Sequence, residues 1–596
     1  MHHGKSRATQ LAELQQRNKV PVLIIGGGIN GISTWRELTL QGIPAVLVEK
    51  DDWCQAASGA LSRMIHGGLR YLESGEFGLV KESVQERNRL LKNAPHYVFP
   101  LRTTVPIENW HSGLINAVKR FFRLSERPSR RGALLIKTGL MLYDLYTGGS
   151  SSMPKHRLSG QQATRARWPG FADWVRCSAS YYDAWISAPE RLGIELIEEG
   201  KQNCPDALAF NYMAAIGIHD GAIELEDRLS GQRFLLQPEV LVNASGAWID
   251  QLNTTLQRPS HLMGGTKGSH LILHHPHLLT ELGDEMVYFE NQEGRVCIMF
   301  PWFGHVLVGS TDIRTDDPDH AVCTPEERAY ILNSLRFVFP HFTVNDDDVI
   351  YSFCGVRPLP ASSASVNGRI SRNHAVVVQE ADAQQPFPTL SLVGGKWTTF
   401  RRFGEQAADA VLLRLNKPRL HSTEDRAIGG GRQLPQGPVR EQWLQQLVRH
   451  SALPLPRIEQ LVQRYGSRIL LMLPLLQQDD QPLRSQPDYS ASELLFLTRH
   501  EHVMQLEDLL VRRTSLAMSG TLTQTTMEEI SQLLATELGW SEAQRQQQVE
   551  TCRTRLEQQH QCVFKHLNLQ EIADVTPQQS AHEPVVSAWQ MSGRGN

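Results

Sequence analysis

The residues with the most informative types and spacing are three glycines and one acid near the N-terminus. Gly26, Gly28 and Gly31 follow an apolar run that ends at Ile25, and Glu49 closes a second apolar run eighteen residues after Gly31. The first glycine permits a tight turn, the second lets a pyrophosphate approach the backbone, and the third lets helix and strand pack closely. Glu49 is then placed to accept hydrogen bonds from a ribose. The pattern predicts a dinucleotide-binding unit, and the turn alone does not separate NAD from FAD.

Four basic residues lie near turns, where each can present a fixed positive charge. Arg70, Arg357 and Arg372 stand near a glycine, a proline or a Ser-Asn turn, and Lys396 follows a Gly-Gly pair at a predicted helix start. A guanidinium fork matches phosphate oxygens, and the N–H groups of a helix start add to the positive field. Four such cations in one pocket would destabilise it unless an anion entered. Taken singly, each arginine could instead form a surface ion pair.

The surrounding pattern predicts mixed strands and helices, followed by a purely helical region. Short apolar runs between turns predict strands over residues 205–245 and 266–315, and helical spacing predicts a helix over 79–93. Past about residue 415 the chain is rich in Gln, Leu and Arg at helical spacing, which indicates a separate α-helical domain. Residues 1–20 are expected to form a polar leader and residues 574–596 a disordered tail.

Residues 109–148 differ in character from their surroundings. Leu114, Val118 and Phe121 mark the apolar side of a predicted helix whose other side carries Lys119 and Arg123. A basic amphipathic helix of this kind can lie on an anionic membrane surface. It can equally cover a domain core with its basic side in solvent. Both interpretations stay open.

Composition excludes several classes of protein. The chain has 596 residues, 41% of them hydrophobic and 21% charged, which is typical of a globular protein with several domains. A net charge of −3 gives no indication of nucleic-acid binding. The eight cysteines form no CxxC pair or His/Cys cluster, so neither a metal site nor a disulfide framework is expected. The N-terminus lacks the apolar core of a signal peptide, and no run of 18 apolar residues is present, which predicts a cytoplasmic protein.

Several further blocks resemble the FAD-dependent glycerol-3-phosphate dehydrogenases, within the D-amino-acid-oxidase-like flavoproteins. The likeness spans roughly residues 20–565, and its most specific block runs from Ile65 to Glu73. The blocks that carry it are Gly26-Gly-Gly-Ile-Asn-Gly31, Ser62-Arg-Met-Ile-His-Gly-Gly-Leu-Arg-Tyr-Leu-Glu73, Lys267-Gly-Ser-His270, Val308-Gly-Ser-Thr-Asp312, Cys354-Gly-Val-Arg-Pro-Leu359, Gly394-Gly-Lys-Trp-Thr-Thr399, Thr498-Arg-His-Glu501 and Leu506-Glu-Asp-Leu-Leu-Val-Arg-Arg513.

The resemblance implies FAD as the bound dinucleotide and a fold of mixed α/β and α+β class. A discontinuous Rossmann-like FAD-binding domain is expected over residues 20–108, 160–262 and 350–415. A β-sheet substrate domain is expected over 109–159 and 263–349, and a C-terminal α-helical domain over 420–573.

The implied reaction removes a hydride from C2 of sn-glycerol 3-phosphate to flavin N5 and gives dihydroxyacetone phosphate. His66 or His270 would take the hydroxyl proton, since histidine suits this task near neutral pH. Arg357 and Lys396 would stabilise developing negative charge. The resemblance implies a substrate site of Arg70, Tyr71, His270, Arg357, Arg372 and Lys396. It implies a cofactor site of Gly26, Gly28, Asn30, Gly31, Glu49, Ser58, Ser62, Arg63, His66, Gly67, Ala244, Gly246, Gly355, Gly395, Lys396 and Thr398.

The sequence departs from the family pattern in places that bear on the cofactor and the acceptor. The loop before His66 has Ala57, Gly59 and Leu61 where hydroxyl residues are usual, and Trp397 stands where a Leu is usual. We expect a quinone, reached at the inner face of the cytoplasmic membrane, as electron acceptor. The alternatives are a flavin oxidase that uses oxygen and a catalytically silent flavoprotein with an interacting helical domain. The oligomeric state, with a homodimer as one candidate, stays open.

Overall fold

The computed structural model describes residues 6–68, 76–108, 153–361 and 373–564. Its strands in chain order are β1 Lys19–Ile25, β2 Val46–Val48, β3 Met64–Ile65, β4 Val98–Ile107, β5 Arg157–Ser159, β6 Cys177–Ile186, β7 Leu208–Phe210, β8 Met213–His219, β9 Ala222–Asp227, β10 Arg233–Asn243, β11 Thr266–Leu273, β12 Glu285–Glu290, β13 Val296–Trp302, β14 His305–Gly309, β15 Ile313–Arg314, β16 Val349–Arg357, β17 Ala375–Gln379 and β18 Thr389–Val393.

The helices of the same ranges alternate with the strands up to residue 414 and then follow one another. In chain order they are α1 Arg7–Gln15, α2 Ile29–Leu40, α3 Phe77–Asn93, α4 Gln161–Arg167, α5 Pro189–Asn203, α6 Ile249–Thr255, α7 Pro276–Leu282, α8 Pro325–Val338, α9 Phe400–Arg414, α10 Pro438–Ser451, α11 Leu455–Tyr465, α12 Ile469–Leu476, α13 Ala491–His500, α14 Gln524–Leu538 and α15 Glu542–His560, with a π-helical turn at Asp508–Arg513.

The first sheet is the parallel sheet of the dinucleotide-binding unit. Its strands lie in the order β17, β18, β10, β1, β2 and β7, and all these neighbours pair in parallel except β17 with β18. β1 is central and its residues Val22–Ile24 are fully buried, as expected for a parallel strand covered on both faces. The strands β8, β9 and β10 form the predicted antiparallel meander at one end.

Helix α2 follows the first strand and packs against α5 and α9. The contacts are close because glycines lie at both crossings. A Cβ added at Gly200 would lie 2.1 Å from the Trp35 ring, and one added at Gly404 would lie 2.3 Å from the Ser33 hydroxyl. This packing fixes the N-terminus of α2 at the carboxyl ends of β1 and β10, the edge at which parallel sheets of this kind bind ligands.

The second sheet forms a platform beside the first. Its order is β15, β11, β14, β13, β12, β4, β6 and β3, with β16 paired to β11 and β5 paired to β6. The strands β4, β6 and β16 therefore belong to this sheet, whereas the predicted domain boundaries place their residues in the FAD-binding domain. The reason is the pairing itself: β4 pairs with β6 along its whole length, and β16 with β11 from Thr266 to Leu273.

The hydrophobic core of the C-terminal helices, which includes Ile458, Leu494 and Leu509, is continuous with the second sheet through Tyr351 and Phe353. None of the helices in the described ranges is long and apolar enough to cross a bilayer. The predicted polar leader contains helix α1, whose Leu14 is buried against the first sheet. The amphipathic segment at 109–148 and the tail at 574–596 lie outside the described residues.

Candidate functional site

The glycine-rich turn has the geometry that its sequence predicts. Gly26 has a φ of +118° and donates its N–H to the Val48 carbonyl at 2.8 Å. A Cβ at this position would lie 2.4 Å from the Ala244 carbonyl oxygen, and a Cβ at Gly31 would lie 2.0 Å from the Gly26 carbonyl oxygen. Any side chain at either position would therefore force the backbone apart. Gly28 is the N-cap of α2, and a Cβ there would contact only the Ser58 hydroxyl, at 3.2 Å.

Glu49 lies at the end of β2, directly beside this turn. One of its carboxylate oxygens accepts the Gly27 N–H at 2.6 Å, and the other accepts the Asp51 N–H at 3.0 Å. Burial raises the pKa of Glu49 to about 7, although these two backbone N–H groups act in the opposite direction. Each carboxylate oxygen keeps acceptor capacity beyond its one backbone bond, so Glu49 can still accept hydrogen bonds from a ligand.

The loop before His66 connects three parts of the site. The Ser58 hydroxyl accepts the Ile29 N–H at 3.0 Å, and the Ser58 carbonyl accepts the Trp397 indole N–H at 2.9 Å. Further along the loop, a Cβ at Gly355 would lie 2.7 Å from the Ala60 methyl, so β16 approaches the loop closely. Backbone contacts and Trp397 thus hold a loop that has few hydroxyl side chains.

The next residues of the loop lie in different surroundings. Ser62 is half-buried, whereas Arg63 is buried and forms a bidentate pair with Glu190 at 3.0 and 2.8 Å. The structure thus gives the Arg63 guanidinium a carboxylate partner within the protein, while its role toward a cofactor stays a prediction.

His66 and Gly67 are held through their backbones. The His66 N–H donates to the Thr398 hydroxyl at 3.2 Å, and the Gly67 N–H donates to Asp183 at 2.9 Å. Asp183 is also paired with the buried Arg87 at 3.0 Å. These bonds place the His66 turn between β6 and the turn that precedes α9.

The turn before α9 presents Lys396. Gly394 and Gly395 have φ values of +79° and +96°, which favour glycine. The Asn30 amide donates to the Gly394 carbonyl at 3.3 Å, so the start of α2 and this turn are adjacent. The Lys396 ammonium donates to the Ser83 hydroxyl at 3.3 Å.

The motif at the end of β10 also reaches the glycine-rich turn. Ala244 donates its N–H to the Ile25 carbonyl at 2.8 Å, and its own carbonyl lies over Gly26. Gly246 has a φ of +62° and begins a short 3-10 helix. Ala244 therefore belongs to the wall of the predicted dinucleotide site.

His270 lies on β11 of the second sheet and is buried. Its ring is stacked on Phe353, with ring centroids 5.0 Å apart and planes 12° apart. Neither ring nitrogen has a hydrogen-bond partner among the described residues. Burial, together with the charges of Arg357 and Arg63, lowers the pKa of His270 to about 3. The imidazole is therefore neutral at physiological pH.

Arg357 lies at the end of β16, close enough to His270 for its charge to lower the pKa of that imidazole. The guanidinium donates to the Ser310 hydroxyl and the Thr311 carbonyl, each at 3.2 Å, and lies 3.4 Å from Asp312. It also folds back over Gly268, where an added Cβ would lie 2.1 Å from Nη2. The second sheet thus brings one cation and one neutral imidazole together.

The predicted residues fall into two adjoining groups. The turn at Gly26–Gly31, Glu49, Ser58, Ala244 and Gly395 surround the carboxyl edge of the first sheet, while His270 and Arg357 lie on the second. The contact of Gly355 with Ala60 joins them. Arg70, Tyr71 and Arg372 lie outside the described residues.

Two acids of the second sheet region are absent from the predicted site. Asp183 fixes the backbone of the His66 turn, and Glu327 accepts hydrogen bonds from the Ser269 hydroxyl at 3.0 Å and the Thr311 hydroxyl at 2.6 Å. A sequence signal exists for Glu327, because Thr324 and Glu327 have the spacing of a capping box at the start of α8. No local pattern marks Asp183, whose partners are 96 and 116 residues away.

Comparison with known proteins identifies relatives for most of the chain. Residues 21–399 match the family described as FAD dependent oxidoreductase, and residues 421–545 match the C-terminal domain of alpha-glycerophosphate oxidase. A glycerol-3-phosphate dehydrogenase from Synechocystis sp. is 31% identical over 91% of this chain and 97% of its own length. An aerobic glycerol-3-phosphate dehydrogenase from Escherichia coli is 28% identical over 83% of this chain and 94% of its own length.

A solved structure supports the fold. The glycerol-3-phosphate dehydrogenase from Bacillus halodurans, complexed with FAD, superposes with a TM-score of 0.72 at 23% identity. The superposition covers 94% of this chain and 98% of that chain.

Proposed function

We propose that this chain oxidises sn-glycerol 3-phosphate to dihydroxyacetone phosphate. The premise is its family: the chain belongs to the FAD dependent oxidoreductases, and its relatives include glycerol-3-phosphate dehydrogenases. FAD is the cofactor of this family. The substrate is proposed from the names of the relatives and from the positive charge and proton acceptor that the second sheet presents.

The residues of the glycine-rich turn fit a bound FAD. The turn lacks side chains at the start of α2, where helix N–H groups and the helix dipole favour a pyrophosphate. The Oδ1 atom of Asn30 is buried at this helix start and has no hydrogen-bond partner among the described residues, so a polar ligand group would satisfy it. Glu49 has acceptor capacity for a ribose. Gly26, Gly28, Asn30, Gly31 and Glu49 would therefore hold the cofactor.

The observation that carries the proposed reaction is His270 beside Arg357. Both ring nitrogens of His270 lack partners among the described residues, which is costly for a buried polar group unless a ligand fills the space. Arg357 supplies a fixed cation close enough to lower the pKa of that imidazole. A neutral base next to a cation suits a substrate that carries both a hydroxyl proton and a phosphate.

The residues divide the chemical work as follows. Bound FAD would supply the acceptor for the hydride that leaves C2 of the substrate. His270 takes the proton from the C2 hydroxyl, and Arg357 and Lys396 bind the phosphate and stabilise negative charge on the substrate oxygen. An anion beside Arg357 would offset one of the charges that lower the pKa of His270, so substrate binding makes the imidazole a stronger base. His66, held by Thr398 and next to Asp183, serves to position the cofactor.

A quinone is the proposed electron acceptor. The relatives are named dehydrogenases, and the basic amphipathic pattern at 109–148 suits contact with a membrane surface, where quinones dissolve. Oxygen is a second candidate, because residues 421–545 match the C-terminal domain of alpha-glycerophosphate oxidase.

Anaerobic reduction of the FAD-loaded protein, followed by its reoxidation, tests the proposed substrate and the proposed electron acceptor. Glycerol 3-phosphate should bleach the flavin absorbance and glycerol should not, and His270→Asn should slow the bleaching while His66→Asn should chiefly weaken FAD binding. Bleaching by glycerol alone would contradict the phosphate site. Reoxidation by a soluble quinone analogue, with little peroxide formed in air, would support a quinone over oxygen.

A further inference from the structure

The segment Asp52–Cys54 lies directly beneath the glycine-rich turn. A Cβ added at Gly27 would lie 2.4 Å from the Trp53 ring, so the indole packs against the bare backbone of the turn. The Cys54 N–H donates to the Gly27 carbonyl at 3.0 Å. The segment begins three residues after Glu49, the acid predicted to bind the ribose. It therefore supports both Glu49 and the glycine-rich turn that is predicted to bind the pyrophosphate.

The same segment is bound from its other side by the C-terminal helical domain. Asp52 is fully buried and accepts hydrogen bonds from both terminal nitrogens of Arg513, at 2.6 and 2.8 Å, and from Arg512 Nε at 2.5 Å. The Trp53 indole N–H donates to His502 Nδ1 at 2.8 Å. The contacts therefore run without a break from the helical domain through two adjacent residues to the turn.

The buried carboxylate of Asp52 is compensated by the two arginines that bind it. Burial by itself would raise the pKa of Asp52, but Arg513 and Arg512 more than reverse that effect, so its pKa is well below the usual range. Arg513 further donates to the Glu501 carbonyl at 2.7 Å, which anchors it within the helical domain. A buried carboxylate that depends on two arginines of another domain loses its compensation if that domain moves away.

We propose that the helical domain contributes to FAD binding, because through Asp52 and Trp53 it holds the dinucleotide-binding turn in the conformation that binds FAD. The affinity for FAD and the docking of the helical domain are then thermodynamically linked. Such linkage is reciprocal, so FAD binding must in turn stabilise the docked domain. The inference rests on FAD as the cofactor and is independent of the substrate and of the electron acceptor.

The test measures the dissociation constant of FAD for the full-length chain after FAD is removed and titrated back, by flavin fluorescence. Trp53→Phe removes the hydrogen bond to His502 and keeps a ring against Gly27, so the dissociation constant should rise about three- to tenfold, the range for one hydrogen bond. Arg513→Lys replaces a bidentate partner of Asp52 and should raise it about tenfold or more.

Arg457→Lys is the matched control. Arg457 forms a half-buried bidentate pair with Asp480 at 2.9 and 3.0 Å inside the helical domain and does not contact the Asp52–Cys54 segment. Its substitution should destabilise that domain but change the FAD dissociation constant less than twofold. An equal loss of FAD affinity in this variant would mean that general destabilisation, and not the path through Asp52, is responsible, and would overturn the proposal.

The reciprocal effect is measured by amide hydrogen exchange over residues 501–513. FAD should slow exchange there in the unmodified chain, and this protection should shrink in Trp53→Phe. The proposal fails if Trp53→Phe, together with Arg513→Lys where that variant folds, binds FAD within twofold of the unmodified chain. It also fails if FAD leaves exchange over 501–513 unchanged. Trp53→Phe keeps the test decisive even if Arg513→Lys does not fold.

Discussion

Replacing Gly268 by Ala would displace Arg357 without otherwise altering the fold. The new methyl would lie 2.1 Å from Nη2 and 2.4 Å from Cζ of Arg357. Heavy atoms need about 3.5 Å of separation, so the guanidinium must move by more than about 1 Å. Its bonds to Ser310 and Thr311, both already 3.2 Å long, would break. The displaced group is the free end of a flexible side chain, and β11 keeps its pairing.

The expected effect is on substrate binding. A hydrogen bond to a charged group contributes about 1.5–3 kcal/mol, and about 1.4 kcal/mol corresponds to tenfold in affinity. Loss of the aligned guanidinium should therefore raise KM for glycerol 3-phosphate by about ten- to a hundredfold. The melting temperature should change by less than about 2 °C, since no core contact is lost.

Steady-state kinetics with a soluble quinone analogue, together with thermal unfolding, provide the assay. Gly78→Ala at the start of α3 is the control, because an added Cβ there has no neighbour within 4 Å among the described residues. Arg357→Met sets the largest loss to be expected. A KM within threefold of the unmodified enzyme in Gly268→Ala would refute the assignment of Arg357 to the phosphate.

Three further predictions concern the histidine, the acid and the tryptophan of the site. The pKa of His270 is about 3 in the folded chain, whereas the ordinary value of 6.5 applies in the unfolded chain. As the pH falls below 6.5, this imidazole therefore gains a proton in the unfolded chain and not in the folded one. In substrate-free protein, His270 should therefore lower the free energy of unfolding by about 2 kcal/mol between pH 7.5 and pH 5. Urea titrations at the two pH values measure this change, and the His270→Asn variant should lack it. Glu49→Gln should raise the FAD dissociation constant about tenfold at pH 8 and less at pH 6, since its pKa of about 7 leaves the carboxyl largely protonated there. Trp397→Phe removes the bond to the Ser58 carbonyl and should weaken FAD binding about threefold without changing KM, and an unchanged affinity would argue against a role for Trp397 in holding the loop.

The dinucleotide unit was predictable from the sequence because its determinants are local. Gly31 packs against the Gly26 carbonyl five residues before it, α2 begins within the same turn, and Glu49 follows in the next strand, whereas the close approach of Ala244 to Gly26 comes from a distant strand. The helical region after residue 415 was predictable for the same reason, since helical spacing reports local periodicity. The family, the cofactor and the fold class were predicted from longer blocks, and the comparisons confirm them.

The tertiary structure decided what depends on distant partners. It paired Arg63 with Glu190, placed β4 and β16 in the second sheet, and gave Asp52 partners 460 and 461 residues away. It also distinguished the two histidines. His270 is buried beside Arg357, whereas His66 is half-buried and held through its backbone by Thr398.

The physical reason is the range of the interactions involved. Backbone conformation and periodicity are fixed by neighbours in the chain, so the sequence by itself determines the glycine-rich turn and the element that follows it. Desolvation and ion pairing depend on every group that the fold brings close, whatever its position in the chain. The neutral imidazole of His270 near Arg357 and the contacts of Asp52 with the C-terminal helices therefore emerge only when the two sheets and these helices are packed together.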